Sequence, residues 1–81
     1  MPRVSDAHRE QRRQQILDAA RRRFARNGFH QTSIQDILTE ANLSAGALYR
    51  YFRSKEEIIE AIAEDALRQV TAPIGQLTRR R

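Results

Sequence analysis

The stretch from Leu43 to Glu57, LSAGALYRYFRSKEE, places anion-binding side chains directly after a turn that has almost no side chains. Tyr49 and Tyr51 carry hydroxyl groups. Three cations surround them: Arg50, Arg53 and Lys55. Ala45, Gly46 and Ala47 precede them, and a helix whose first turn lacks bulk can press against a ligand and offer unpaired backbone N–H groups to phosphate. The pattern predicts a site for an extended anion, and B-DNA fits because its major groove admits one α-helix.

Positive charge is distributed unevenly along the chain. Residues 1–30 hold eight arginines against three acidic residues, whereas residues 31–54 and 55–81 are each balanced. The formal net charge of +5 therefore resides in the N-terminal part. This distribution favours a domain with one side facing a polyanion such as nucleic acid. A solvated helix face is an equally acceptable explanation of the charge alone.

The composition excludes several kinds of site. The 81 residues form one small domain or a fragment, and the absence of cysteine excludes disulfides and thiolate metal sites. His8 and His30 are far apart in sequence, so neither is expected to bind a metal. No apolar run approaches the roughly 20 residues of a membrane span, and no apolar stretch follows the N-terminal charges as in a signal peptide. We expect a cytoplasmic location, with no metal, cofactor or membrane partner.

An enzyme is not expected, because catalysis needs a nucleophile with a base, or paired carboxylates, in a cleft. The acidic residues of the C-terminal third are better explained as the capped, solvated side of one helix: Glu56, Glu57, Glu60, Glu64 and Asp65. The alternative to a nucleic-acid-binding protein is a helical module that binds other proteins and has an incidental basic face. Such a module would show no affinity for duplex DNA at low salt.

Apolar residues at helical spacing predict four helices. The first runs from about Asp6 to Asn27. Its buried stripe comprises Ile16, Leu17, Ala20 and Phe24. Gly28 is expected to end this helix in the left-handed conformation, and Phe29 is expected to fold back onto the last turn.

The second and third helices are predicted to form a helix–turn–helix. Thr32 or Ser33 caps the second helix, and Thr32 with Gln35 fits a capping box. Its inner face comprises Ile34, Ile37, Leu38 and Ala41. Asn42 tolerates positive φ and is expected to end it, and Ser44 caps the third helix after a very short turn.

The third helix is predicted to turn Leu48 and Phe52 toward the core, four residues apart. Arg50 then lies on the opposite side, with the two tyrosines on the flanks. Leu43 and Leu48 fit a hydrophobic staple.

The fourth helix is expected from Lys55 to about Thr71, ending before Pro73, with Ser54 and Glu57 as a capping box. Its apolar stripe is wider than three short helices can cover: Ile58, Ile59, Ile62, Ala63, Ala66, Leu67 and Val70. Either this segment dimerises or a further domain covers it. The tail IGQLTRRR shows no clear structure.

Residues 28–59, GFHQTSIQDILTEANLSAGALYRYFRSKEEII, resemble the DNA-binding segment of the tetracycline-repressor (TetR) family of bacterial transcription regulators. The resemblance spans about Ile16 to Ile62, in a fixed register. The matching positions are Gly28, Thr32, Ser33, Ile37, Ala41, Ser44, Gly46, Leu48, Tyr49, Phe52, Ser54, Lys55 and Glu56.

The resemblance implies an all-α fold, a homeodomain-like three-helix bundle containing the helix–turn–helix plus a fourth connecting helix. It also implies sequence-specific binding of double-stranded DNA by a regulator that is more often a repressor. The family acts as a homodimer on a palindromic operator, with the third helix of each subunit in the major groove.

The site residues implied by the resemblance fall into two groups. Base edges would be contacted by Gln35 and by early helix-three residues: Ala45, Gly46 and Ala47. Phosphates would be contacted by the start of helix two and the end of helix three: Thr32, Ser33, Tyr49, Tyr51 and Lys55. Ser44 and Arg50 border the same edge and complete the set. For Lys55 there is also a local argument, because a cation is unfavourable in a first helical turn and so implies an outside anion.

Other arginines have less specific roles. Those near the N-terminus either form a flexible arm into the minor groove or a disordered tail: Arg3, Arg9, Arg12 and Arg13. A second group is expected to include surface charges paired with the acids of helix one: Arg21, Arg22 and Arg23.

Three residues depart from the family pattern. Asn42 replaces a turn glycine, which positive φ tolerates at small cost. Leu38 replaces a small alanine between helices two and three, so its extra bulk is expected to influence the position of helix three. Ala47 replaces a threonine and retains only methyl contact with thymine.

Three segments are predicted. Residues 1–13 form a flexible basic arm that runs into helix one, residues 6–54 the helix–turn–helix domain, and residues 55–81 helix four with a tail. In the family this tail leads to a ligand-binding and dimerisation domain that is absent here, and only with that domain would a small-molecule inducer bind. We expect a homodimer for the intact protein and leave a monomer open for this chain alone.

Overall fold

The computed structural model describes the backbone of residues 4–79 and the side chains of residues 7–68. Four helices form this part of the chain: α1 (Val4–Asn27), α2 (Ile34–Ala41), α3 (Ala45–Tyr49) and α4 (Lys55–Arg79). The predicted all-α fold, a three-helix bundle with a fourth connecting helix, is confirmed.

The core lies where α1, α2 and α4 meet, and α3 contributes to it through one residue, Leu48. The buried apolar side chains are Ile16, Leu17, Ala19, Ala20, Ile37, Leu38, Ala41, Leu48, Phe52, Ile58 and Ala61. Phe24 and Ile34 pack against this cluster from the edge. The inner faces predicted for the first three helices therefore point into the bundle, because burial of their apolar stripes is the main favourable term in folding.

The corner after α1 has the predicted geometry. Gly28 has φ 86°, and its N–H donates to the Phe24 carbonyl at 2.8 Å. The rings of Phe24 and Phe29 lie 5.3 Å apart between centroids, so Phe29 folds back onto the last turn of the helix. A positive φ at this position suits glycine, which has no Cβ to clash.

Helix α2 begins with a capping box formed by Ser33 and Asp36, so the prediction of Thr32 with Gln35 is wrong. The Ser33 hydroxyl accepts from the Asp36 N–H at 3.0 Å, and the Asp36 carboxylate accepts from the Ser33 N–H at 3.0 Å. The hydrogen bond from the Ser33 backbone lowers the pKa of Asp36 below its ordinary value. The sequence alone did not decide whether Thr32 or Ser33 caps α2, and the burial of Thr32 identifies Ser33 as the cap.

The turn between α2 and α3 is fixed by main-chain hydrogen bonds at both sides. Asn42 has φ 60° and ψ 48°, as predicted, and its N–H is directed to the carbonyls of Leu38 and Thr39. The Leu43 N–H also donates to Leu38, at 3.0 Å. From α1, the Gln15 amide donates to the Ala41 carbonyl at 2.7 Å. These contacts satisfy carbonyls that every helix C-terminus leaves without intrahelical partners.

Helix α3 is shorter than predicted, because it ends at Tyr49. The N–H groups of Tyr51 and Phe52 both donate to the Leu48 carbonyl, at 2.9 and 3.1 Å, which closes the helix in a tight turn. Phe52 is nevertheless buried, at 7% exposure. Tyr51 packs against the core instead of projecting from a helix flank.

Both long helices extend beyond the predicted limits. Helix α1 begins at Val4, so Arg9, Arg12 and Arg13 belong to a helix and not to a flexible arm; Arg3 lies outside the described residues. Helix α4 continues past Pro73 to Arg79, although it was expected to end before the proline. A proline in a helix interior removes one hydrogen bond and clashes with the carbonyl four residues earlier, so it is unfavourable there, yet the helix continues through this one. Neither helix, over the described residues, has an apolar stretch sufficient to cross a membrane.

A polar junction joins α1 to α4. Asp65 accepts from the Gln14 amide at 3.3 Å and pairs with Arg13 at 3.5 Å and with Arg68. Burial raises the pKa of Asp65, but the Gln14 hydrogen bond and the charges of the two arginines outweigh it, so the pKa is lowered. This tertiary contact joins the N-terminal half of α1 to α4, a relation that local sequence signals did not reveal.

Candidate nucleic-acid interface

The first turn of α3 projects outward from the bundle. Ala45 and Gly46 are exposed and Ala47 is half-buried, whereas Leu48 directly after them is fully buried and anchors the helix. A Cβ built on Gly46 would meet no atom within 4 Å. The bundle itself therefore leaves room for a side chain at this position, and the bare surface faces outside.

Ser44 fixes the beginning of α3. Its hydroxyl accepts from the Ala47 N–H at 3.2 Å, and its carbonyl accepts from the Leu48 N–H at 3.1 Å. The preceding residue, Leu43, packs against the core cluster that contains Leu48, as the predicted staple requires. The exposed turn is thereby held at a set angle to the body of the domain.

Gln35 lies on the same side of the molecule as the turn. It is exposed on α2 and lines an open groove together with Thr39, Asn42 and Ser44. The groove connects the Gln35 side chain to the beginning of α3. The structure therefore brings together the two elements that the sequence assigned to base recognition. Ser33 is exposed at the N-terminus of α2.

The aromatic flanks differ in exposure. Tyr49 is 50% exposed and Arg50 is exposed beside it. Tyr51 is half-buried, and it lines an open groove between α1 and α3. Of the two tyrosines, Tyr49 is thus the more accessible. Helix α3 ends before Tyr51, and the Tyr51 side chain packs against the core.

Thr32 does not belong to this surface, and its prediction as a phosphate contact is wrong. Its side chain is fully buried. The hydroxyl donates to the Gly28 carbonyl at 2.8 Å and lies 3.2 Å from the Arg23 carbonyl. Its N–H donates to the Phe29 carbonyl at 3.3 Å. Thr32 therefore ties the α1–α2 corner together and has no donor directed outward.

Lys55 has a partner inside the molecule, contrary to the local argument for an outside anion. Its ammonium donates to the Phe29 carbonyl at 2.6 Å and lies 4.3 Å from the centre of the Phe29 ring. This contact offsets the unfavourable position of a cation in a first turn. An ammonium carries three N–H donors, so two remain after this bond.

The arginines of the second half of α1 form ion pairs with two carboxylates, which offset only part of their positive charge. Arg21 pairs with Asp18 of the same helix at 2.5 Å, as predicted for this group. Arg22 and Arg23 instead pair with Glu40 on α2, which also accepts from Arg26: the distances are 2.9, 3.0 and 3.1 Å. The hydrogen bond from Arg22, with the charges of Arg22 and Arg26, lowers the pKa of Glu40. Sequence spacing along one helix could not reveal these pairs.

Two residues of α1 line the groove between α1 and α3: His8, which the sequence did not place at the interface, and Arg12, which it assigned to a minor-groove arm or a disordered tail. His8 and Arg12 face this groove together with Gly46, Arg50 and others of the α3 edge. Their spacing of four residues, which puts them on one helix face, was a signal available in the sequence. Among the described residues, no group of histidine and acidic side chains is arranged to hold a metal ion.

Comparison with known proteins places these residues in a family context. Residues 16–62 match the family model described as bacterial regulatory proteins, tetR family. The chain is 39% identical over 66 residues to the HTH-type transcriptional regulator YfiR of Bacillus subtilis, covering 82% of this chain and 32% of the relative. It is 36% identical over 72 residues to the HTH-type transcriptional repressor Rv1474c of Mycobacterium tuberculosis, covering 89% and 38%.

A third relative is the HTH-type transcriptional regulator UidR of Escherichia coli, 44% identical over 66 residues, which cover 76% of this chain and 34% of UidR. The chain thus spans about a third of the length of the curated relatives it matches. The likeness covers the four-helix domain described above.

Proposed function

This chain belongs to the tetR family of bacterial regulatory proteins and is a DNA-binding transcription regulator, and we propose that it represses transcription by inserting α3 into the major groove of an operator. One of its relatives is named a repressor. Occupation of a promoter by the bound protein would exclude polymerase.

The observation that carries the proposal is the bare, outward first turn of α3. Gly46 is exposed, and no neighbouring atom lies close enough to require a glycine there. Glycine in a helix costs about 0.5–1 kcal/mol relative to alanine. A partner surface that approaches the backbone closely accounts for this choice, and the edges of base pairs in a major groove form such a surface.

We assign base contacts to the residues beside that turn and phosphate contacts to its periphery. Gln35 reads one base, since a glutamine amide pairs bidentately with adenine, while Ala45, Gly46 and Ala47 allow close approach. Phosphate oxygens are bound by the hydroxyls and cations around the turn: Ser33, Ser44, Tyr49, Arg50, Tyr51 and Lys55. Thr32 is excluded because it is buried.

The intact regulator is proposed to be a cytoplasmic homodimer on a palindromic operator, with no enzymatic activity. Two copies of α3 must enter successive major grooves on one side of the duplex, so the half-sites lie about one helical turn, roughly 34–36 Å, or a multiple of it apart. We propose residues 6–54 as the DNA-binding domain and residues 55–81 as its connection to the part of an intact regulator that would dimerise and, if present, bind an inducer.

Enlarging Gly46 tests the close approach directly. Gly46→Leu should fold as the parent does, because nothing lies within 4 Å of the added Cβ, yet its affinity for duplex DNA should fall at least about tenfold, equivalent to 1.4 kcal/mol. Ala25→Leu places the same leucine side chain at an exposed position of α1 and should bind normally. Thermal melting and fluorescence anisotropy measure the two quantities. Undiminished DNA binding by Gly46→Leu would show that α3 does not enter the major groove.

Selection of bound duplexes from a random pool would then give the half-site and its spacing. Gln35→Ala should relax the preference at one base-pair position, where a bidentate contact is worth about 1–3 kcal/mol of discrimination. Lys55→Gln should weaken binding to all sequences alike and reduce the slope of log K against log[salt] by about 0.9. If neither substitution changes binding, the DNA contacts lie elsewhere on the protein.

A further inference from the structure

The groove between α1 and α3 is lined by two arginines and by no acidic residue. Arg12 of α1 and Arg50 at the end of α3 both line it. Within residues 7–68, neither arginine pairs with a carboxylate, whereas Arg13, Arg21, Arg22, Arg23, Arg26 and Arg68 all do. Arg9 and Arg53 also lack a carboxylate partner within these residues, and Glu40 alone is shared by three arginines. The groove is distinguished because two guanidinium groups from separate elements line it and no acidic residue does.

The lining of the groove combines polar and cationic side chains with two small residues. His8 stands one turn before Arg12 on the same face of α1, and Ser44 and Tyr51 bring hydroxyl groups from the opposite wall. Gly46 and Ala47 form the part of the floor that continues into the proposed DNA-contacting turn. A side-chain hydrogen bond from Arg12 to Gln15, at 3.4 Å, holds its guanidinium without neutralising it.

We propose that this groove binds a phosphate group of the DNA backbone, clamped between Arg12 of α1 and Arg50 of α3, so that helix one is part of the DNA-binding surface. The inference rests on the proposed function and adds to it a backbone contact from a helix outside the helix–turn–helix. Guanidinium groups suit this role because they present several donors in a plane that matches the oxygens of a phosphate.

Because the groove is continuous with the first turn of α3, a phosphate held in it lies beside the base pairs that this turn contacts. Two arginines from separate elements would fix the height and the tilt of α3 in the major groove. Phosphate contacts position a protein on the duplex and carry no sequence information. Loss of Arg12 should therefore weaken binding to every sequence equally.

Neutral substitutions measure this contact. With Arg12→Gln, the slope of log K against log[salt] should decrease by about 0.9 and the base preference obtained by selection should stay the same. The Arg50→Gln variant should show a similar decrease. Arg21→Gln is the matched control, because Arg21 is balanced by Asp18 and, nine residues along α1, projects about 180° away from Arg12. Equal melting temperatures for all three variants confirm that the fold is retained.

A placement experiment uses the absence of cysteine from the chain. Arg12→Cys and Arg21→Cys each create a single thiol, to which an iron chelate that cleaves DNA is attached. Cleavage of a bound duplex from position 12, and none from position 21, is the expected result.

The outcomes separate the two proposals. An unchanged salt slope for Arg12→Gln, or equal cleavage from both positions, while the parent still binds duplex DNA, overturns the α1 phosphate site and leaves the assignment of α3 intact. Failure of the parent chain to bind any duplex at low salt overturns both.

Discussion

At the scale of single residues, exposure distinguishes a side chain that could contact DNA from one that stabilises the fold. Tyr49 and Thr32 both carry a hydroxyl group and both fit the phosphate positions implied by the family. Tyr49 is 50% exposed, whereas Thr32 is buried and donates to main-chain carbonyls of the α1–α2 corner. The same functional group is therefore proposed to bind DNA at Tyr49, whereas at Thr32 it supports the fold.

This difference predicts opposite effects of removing each hydroxyl. Tyr49→Phe should weaken duplex binding by about 0.5–1.5 kcal/mol, the value of one net hydrogen bond, and should leave the melting temperature unchanged. Thr32→Val, matched in shape, should destabilise the fold by about 1–3 kcal/mol because buried carbonyls lose their donor. Chemical denaturation and anisotropy titrations on the two variants provide the comparison. A Thr32→Val protein of parental stability would contradict the supporting role.

At the scale of elements, the short turn and the contact between α1 and α2 determine where α3 lies. Leu38 occupies the place of a smaller family residue, and the structure buries it at 7% exposure while its carbonyl receives the Leu43 N–H. The extra bulk is thus accommodated inside the core. The angle of α3 depends on this packing together with the positive φ of Asn42.

Substitutions at Asn42 test the backbone requirement of the turn. Asn42→Gly should retain or increase stability, because glycine adopts φ 60° without steric cost. Asn42→Ala should lower stability by about 1–2 kcal/mol, since a Cβ is unfavourable in the left-handed region. Urea denaturation gives both values. Equal stabilities for the two variants would show that the turn relaxes to negative φ.

The arginine cluster around Glu40 predicts a pH dependence. In the folded state the pKa of Glu40 is lowered, chiefly by its hydrogen bond with Arg22 and also by its other arginine partners. The ionised Glu40 side chain therefore makes its full contribution to stability above its ordinary pKa of 4.5. That contribution is lost as pH falls through the folded-state value. Glu40→Gln should therefore melt below the parent at pH 7, and the difference should narrow below about pH 4.5.

The Glu40 comparison has a control in a second glutamate that pairs with an arginine of α1. Glu10 lies on α1 and its carboxylate pairs at 3.5 Å with Arg13 on an exposed surface. Glu10→Gln should change the melting temperature much less, because exposed pairs contribute little. A Glu40→Gln deficit that persists unchanged down to pH 3 would show that packing, and not charge, stabilises the cluster.

At the scale of the whole molecule, α4 leaves an apolar face uncovered. Ile58 and Ala61 are buried in the core, but Ala63, Ala66 and Leu67 are exposed, with Leu67 at 64%. The remainder of the predicted stripe, at Val70, lies outside the residues whose side chains the structure describes.

This geometry predicts how the chain assembles. Alone, the 81 residues should be monomeric, and two copies should associate on a duplex that carries both half-sites. Size-exclusion chromatography with light scattering, with and without such a duplex, measures the stoichiometry. A duplex with one half-site is the control and should bind a single copy. A stable dimer without DNA that Leu67→Lys disrupts would instead identify α4 as a dimer interface.

The sequence by itself determined the helical fold, the inner faces of the first three helices, the left-handed corners at Gly28 and Asn42, and the bare turn at Ala45–Ala47. Periodicity and capping are local, so a few neighbouring residues suffice to specify them. Only the tertiary structure showed that Thr32 is buried, that Lys55 contacts Phe29, that Glu40 collects three arginines and that Arg12 shares a groove with Arg50. These relations join residues distant in sequence, and their geometry exists only once the helices have packed.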